Sequence, residues 1–238
     1  MENSSPVGPL VGGRWLDIAP ERIVSWLSAF AAGHGGAVVA PVGAAVRYLC
    51  ADGAIAECHV PFPPLPDGAT DGRDPHAVAE RIGAHAAADR TVGVLLVRLG
   101  GYAAGVFTGA EPRLEASKTG ARLVHGRSAA GGTSQQRFAR RREKQAQQAL
   151  TAAGDAAIGV FARFAGQIDA LVLGGDKLAI GKVRQDQRLR PFLDLAVERF
   201  LTVPEPRLAV LRDTPRMFRA VRVRLVEAAP PRNQVAPH

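Results

Sequence analysis

Aromatic residues make up only 5% of the 238 residues, cysteine occurs twice, and no apolar run is long enough to cross a bilayer. Each scarcity excludes something. A core short of rings must be built from Ala, Val, Leu and Ile, and a 47% hydrophobic content supplies them. That content offsets the chain entropy lost on folding and excludes a wholly disordered chain. Two cysteines exclude a small module held by disulfides. The chain starts MENSSPVGPLVGG, with no basic stretch leading into an apolar one. Neither a secretion signal nor a membrane partner is expected, and a cytoplasmic protein is.

Acid is scarce in one place above all. Between Ala116 and Ala149 the only carboxylate is Glu143, against Lys118, Arg122, Arg127, Arg137, Arg140, Arg141, Arg142 and Lys144. Seven of the eight net positive charges therefore sit in about one seventh of the chain. A solvated helix face normally mixes signs, so this excess points to a polyphosphate partner, RNA first. Each neutralised phosphate would release counterions and add sequence-independent affinity.

Several chemistries have no support. The histidines (among them His34, His59, His76, His85 and His125) are scattered, and neither a His-Glu-x-x-His pattern nor a zinc-type cysteine pair occurs. No metal site is expected. GGDKLAIGK, Gly174 to Lys182, has the wrong spacing for a phosphate loop and carries Val183 where Ser or Thr is needed. The aspartates Asp52, Asp71, Asp155, Asp169 and Asp176 form no obvious nuclease set. Cys50 and Cys58 flank Asp52-Gly53, which favours a two-residue hairpin turn. That register sets Cys50 opposite Ile55 and Cys58 opposite Arg47, with the thiols on opposite sheet faces and both reduced.

Along the chain, residues 1–13 read as a leader and 228–238 as a tail, with one domain over 14–227. Apolar spacing predicts a helix from Pro20 to Ala32, strands at 37–40, 46–50 and 55–60, and a helix from Pro75 to about Asp89. Strands follow at TVGVLLVRL, GYAAGVFTG and ARLVHG. Ser134 to about Phe164 reads as one long helix, or two joined near Gly154, with Phe138, Ala146, Ala149, Ala153, Ala157, Val160, Phe161 and Phe164 as its buried stripe. Ala170 to Leu173 is a buried strand, Pro191 to Leu201 a helix, and Arg207–Arg212 and Phe218–Leu225 paired strands. Strands interleaved with helices predict an α/β or α+β fold with a mixed central sheet flanked by helices.

One segment carries chemistry. In HGRSAAGGTSQQRFARRR, His125 to Arg142, Gly131 and Gly132 occupy the tip of a small-residue loop, and Ser-Gln-Gln and a basic helix follow at once. The glycines permit dihedrals and close approaches that side chains forbid. Gln135 and Gln136 each offer an amide donor and a carbonyl acceptor, and so orient water without titrating.

GGTSQQRFARRR resembles the signature of the catalytic middle domain of archaeal and eukaryotic class I peptide-release factors. There Gly-Gly-Gln is followed by Ser and Arg-Phe-Ala-Arg. The order of elements over about 91–190 is similar too, ending in LVLGGDK, with residues 14–90 an elaboration before it. The segment is closer still to the release-factor-like VLRF family, in its bacterial, actinobacterial branch. Thr133 stands at the strict glutamine position, Gln135 follows two residues later, and Ser128, Ala129 and Ala130 lengthen the loop. The Asn-Ile-Lys-Ser motif of stop-codon reading is absent.

The resemblance implies a ribosome-dependent peptidyl-tRNA hydrolase that rescues stalled ribosomes. Gln135 (with Gln136 as second choice), Gly131 and Gly132 would be catalytic, and Arg127, Arg137, Arg140, Arg141, Arg142 and Lys144 would contact RNA. No cofactor is implied, the partners are peptidyl-transferase-centre rRNA and peptidyl-tRNA, and a monomer is expected. The alternatives are a tRNA-cleaving nuclease and a non-catalytic ribosome- or RNA-binding factor.

Overall fold

The computed structural model describes residues 10–70, 74–98, 100–121 and 134–228, with the side chains of 134–142 left aside. In chain order the first elements are β1 (Arg14–Ile18), α1 (Pro20–Gly33), β2 (Ala37–Val42), β3 (Ala45–Cys50), β4 (Ile55–His59) and α2 (Pro75–Ala87). Then come β5 (Val92–Arg98), β6 (Gly101–Thr108), β7 (Arg113–Ala121), α3 (Ser134–Phe161), β8 (Ala170–Gly175) and α4 (Lys177–Val183). The last are α5 (Arg190–Leu193), β9 (Ala196–Leu201), α6 (Leu208–Phe218) and β10 (Val221–Val226). The chain falls into two compact units, 1–87 with 219–238, and 88–218, where the sequence reading drew one domain.

The first unit is an antiparallel sheet in the order β1-β10-β4-β3-β2, so the late strand β10 lies between β1 and β4. Period-2 alternation sends Val39, Val46, Tyr48, Cys58, Val221 and Val223 to one face. There they are buried with Ile23, Leu27 and Phe30 of α1 and Val78 and Ile82 of α2.

The β3–β4 hairpin forms where Asp52-Gly53 predicted it, but with a different loop. Cys50 N–H donates to Ala54 O at 2.9 Å, the Asp52 carboxylate accepts from Ala54 N–H at 2.9 Å, and Gly53 takes φ 91°. This is a three-residue loop with glycine in the left-handed position. The extra residue moves the register, so Cys58 is opposite Val46 and Ile55 opposite Leu49. Both thiols consequently point to the same buried face, the reverse of the expectation, and both are free. Burial pushes both up from the ordinary thiol value.

The second unit is a mixed sheet, β7-β6-β5-β8-β9, antiparallel through β5, β6 and β7 and parallel through β5, β8 and β9. β5 is buried almost end to end because both faces are covered. On one face Leu95, Val97, Ala104, Val106, Leu171 and Leu173 join Ala153, Ala157, Val160 and Phe161 of α3. On the other, Phe107 meets Phe218 of α6 at 5.8 Å between ring centroids. At the end of β8, Gly175 has φ 102°, and a Cβ there would lie 2.2 Å from Val97 O. Glycine is what lets the chain turn from β8 into α4, whose N-cap Asp176 accepts from Ala179 N–H at 2.9 Å. GGDKLAIGK is therefore a strand-to-helix turn.

Three assignments change. Pro191–Leu201 is one helical turn, α5, followed by β9, because parallel pairing of Leu173 with Phe200 on β8 overrides the helix-like spacing. Arg207–Arg212 begins α6, which buries Leu211, Thr214 and Phe218 at helical spacing and turns Arg212 and Arg216 outward. Pro215 inside α6 has no N–H for the Leu211 carbonyl, and the buried Thr214 hydroxyl donates to that oxygen instead, at 2.7 Å. β7, a strand not expected over 113–120, precedes the strand expected at ARLVHG. Only its Ala121 is shared, and 122–126 are outside the described residues.

Candidate nucleic-acid interface

The long helix forms without a break at Gly154, as α3 followed by a short turn at Ala162–Phe164. Its first residues are the sequence-predicted site. Gln135 and Gln136 are the second and third residues of the helix, so they belong to its opening turn and not to the loop. Arg127, Gly131 and Gly132 lie outside the described residues. The first four N–H groups of an α-helix have no partner within it, and they carry the positive end of its dipole. Gln135 and Gln136 thus belong to the turn that carries those free backbone donors.

Helix geometry sorts the cations. At about 100° per residue, Arg137, Arg140, Arg141 and Lys144 fall within a stripe about 100° wide. Leu150, Ala153, Ala157, Val160 and Phe161, all buried, centre on the opposite side, about 160° away. Lys144, the one of the four whose side chain is described, is exposed. Arg142 falls outside that stripe by the same count. From Glu143 onward the first buried side chain is Leu150, which lies about 24 Å along the axis from Ser134. The basic stretch precedes the part of α3 seated on the sheet.

The stripe also continues beyond the residues the sequence singled out. Gln148, Thr151 and Asp155 follow Lys144 at the same spacing and, with Gln147, line a shallow groove. The signal was the unbroken three- and four-residue step after Lys144. At its end Asp155 accepts from Arg188 Nη2 at 2.8 Å, and Arg188 also reaches Asp186 at 2.7 Å. Hydrogen bonding from Arg188 holds the Asp186 carboxyl below its ordinary range.

Several other acids and histidines are held by local partners. Asp52 pairs with His34 at 2.7 Å, and Asp169 accepts from Thr91 N–H at 2.7 Å. Asp155 and Asp176 are held as described above, and Asp71 lies outside the described residues. Glu57 is shared between Arg47 and His59, and His85 is bonded to the Pro61 and Phe62 carbonyls. Among the described residues no group of three or more His, Cys, Asp or Glu is arranged to hold a metal ion, and no helix is long and apolar enough to cross a membrane.

The family model described as Actinobacteria/chloroflexi VLRF1 release factor matches residues 90–224, more than half of the chain. No curated protein matches it. Among solved structures, the archaeal translation termination factor aRF1 is similar at 13% identity and a TM-score of 0.41, over 72% of this chain and 51% of that one. An archaeal protein is similar at 15% and 0.38, over 68% and 47%. The Vms1 mitochondrial localization core is similar at 9% and 0.37, over 89% and 82%. The chain spans about half the length of the first two.

Proposed function

The chain belongs to the actinobacteria/chloroflexi VLRF1 release factor family, and on that premise we propose that it is a ribosome-dependent peptidyl-tRNA hydrolase acting in rescue of stalled ribosomes. The scissile bond is the ester joining the nascent peptide to the terminal adenosine of tRNA. One observation carries the reading: α3 opens with Gln135 and Gln136 in its first turn, directly after Gly131 and Gly132 in the chain and directly before the basic stretch Arg137 to Lys144.

In this mechanism Gly131 and Gly132 let the loop pass close to rRNA. Gln135 orients the attacking water through its amide, with Gln136 as the second choice, and the opening-turn N–H groups stabilise the developing oxyanion. Arg137, Arg140, Arg141 and Lys144 contact rRNA or tRNA phosphates and fix the helix in register. Arg127 and Arg142 contribute to the same field. Rate enhancement comes from positioning, with the ribosome supplying most of the surroundings, so the protein acts as a cytoplasmic monomer without metal or organic cofactor. Of the aspartates named above, Asp52, Asp155, Asp169 and Asp176 are each engaged elsewhere, which gives the tRNA-cleaving alternative no ligand set among them.

Incubating the purified chain with ribosomal complexes carrying labelled peptidyl-tRNA, and scoring peptide and tRNA separately, tests the reading. Free peptide with full-length tRNA is the expected product. Shortened tRNA would indicate a nuclease, and binding without release a non-catalytic factor.

A further inference from the structure

We propose that a recess at the root of the basic segment, between α3 and the ends of β6 and β7, receives a single unstacked RNA base. Its volume is about 210 Å³. Sites for drug-sized ligands are larger, roughly 300–1,000 Å³, so this one suits a single ring system. Tyr102 and Gly120 stand directly opposite each other on β6 and β7. A Cβ on Gly120 would sit 2.5 Å from the Tyr102 ring and hydroxyl, so glycine is what allows the ring to lie against the strand. Across the recess are Ala146, Ala149 and Leu150. There the buried side of α3 continues toward its N-terminus, and the two alanines leave space that larger side chains would fill. Arg98 is exposed at the rim, and its Nη1 donates to Val203 O at 2.7 Å, which orients the guanidinium.

The partner follows from this chemistry. Lys118 shares a face of β7 with Gly120 by period-2 alternation and is exposed, and Arg98 lines the recess, so a strand held by these cations passes it. Unpaired bases are recognised by stacking on aromatic rings and on arginine, with polar groups at their edges. An aliphatic peptide side chain would desolvate the phenol and the guanidinium with nothing in return. The inference rests on the RNA-contact part of the proposed function and is independent of ester hydrolysis.

The chain has two tyrosines, and Tyr48 is fully buried in the other unit. Fluorotyrosine-labelled full-length protein therefore gives one reporting and one reference fluorine resonance, assigned with Tyr102→Phe. The probes are a riboadenylate dodecamer and the same strand made abasic. The Tyr102 line shifts with the first and not the second, and the abasic strand binds about tenfold more weakly, the value of one stacked base. Ala149→Phe fills the recess, abolishes the shift and weakens dodecamer binding by a similar factor, with the Tyr48 line in place. Ala146→Leu repeats the test from the same wall should the phenylalanine disturb Tyr48. Equal binding of the two strands, or full affinity in a filled variant that keeps the Tyr48 line, overturns the base site alone. A Tyr102 shift produced by N-acetyl-leucinamide and not by RNA assigns the recess to a peptide and overturns it too. If neither strand binds the wild-type chain, the RNA-contact reading falls with it.

Discussion

Replacing Arg137, Arg140, Arg141 and Lys144 together by glutamine removes the cationic stripe of α3 while keeping good helix formers at all four positions. The effect on RNA binding follows from the helix count. By that count the four positions share one stripe, so a strand lying along it meets all four. Each phosphate contact to single-stranded RNA contributes about 0.7 to the slope of log affinity against log salt. The quadruple variant should therefore flatten that slope by about 3. Arg142→Gln lies apart from the stripe by the same count and should flatten the slope by less than a single stripe substitution does. The assay is fluorescence anisotropy of a labelled single-stranded RNA over a potassium chloride series. The reasoning fails if Arg142→Gln flattens the slope as much as the single stripe substitutions do, or if the quadruple variant leaves it unchanged.

Three further outcomes concern the scaffold. Thr214→Val leaves the Leu211 carbonyl without the hydroxyl bond, because Pro215 offers no N–H, and should cost about 1–3 kcal/mol in urea denaturation followed by circular dichroism. In a Pro215→Ala background the restored N–H serves that oxygen, so the same substitution should cost under about 0.5 kcal/mol, and equal costs in both backgrounds would contradict this account. Gly175→Ala places a Cβ against Val97 O in a left-handed conformation and should destabilise the second unit by about 3 kcal/mol or more, whereas a neutral result would mean that β5 and β8 part easily. Burial is the largest influence on Glu57 and pushes its carboxyl up. Hydrogen bonds from Arg47 and His59 nevertheless bring it below the ordinary range. The stability it contributes is thus present above about pH 4.3, the ordinary value, and is lost as pH falls through the lower folded value. Both tryptophans, Trp15 and Trp26, lie in the same unit as Glu57, so their fluorescence reports its acid unfolding. Glu57→Gln should flatten that acid dependence, and an unchanged profile would show that other carboxylates carry it.

The parts of the fold that were legible are those where one periodicity dominates. β5 reads as a continuous apolar run because both faces are covered, and α3 reads through its three- and four-residue alanine steps. What was misread depended on distant partners. β9 becomes a strand only by pairing with β8, and β7, an edge strand of Arg, Glu, Ser, Lys and Thr, shows little apolar alternation to detect. The hairpin turn was recognised, but one loop residue decided which face the thiols take. For the candidate site, residue types and charge marked Gln135, Gln136 and the cations. Their helical spacing, once α3 is known to start at Ser134, separates Arg142 from the other four. The recess beside Tyr102 had no sequence signal, since it exists only where alanines on α3 meet a glycine on β7.

Peptide release by Gln135→Ala is the most direct measurement. Ribosomal complexes carrying labelled peptidyl-tRNA are incubated with wild-type or variant protein, and ribosome binding, free peptide and tRNA length are followed in parallel. The account predicts release of peptide with full-length tRNA by the wild type, and a variant that binds equally while releasing about 100-fold more slowly. Release at the wild-type rate by the variant would contradict it.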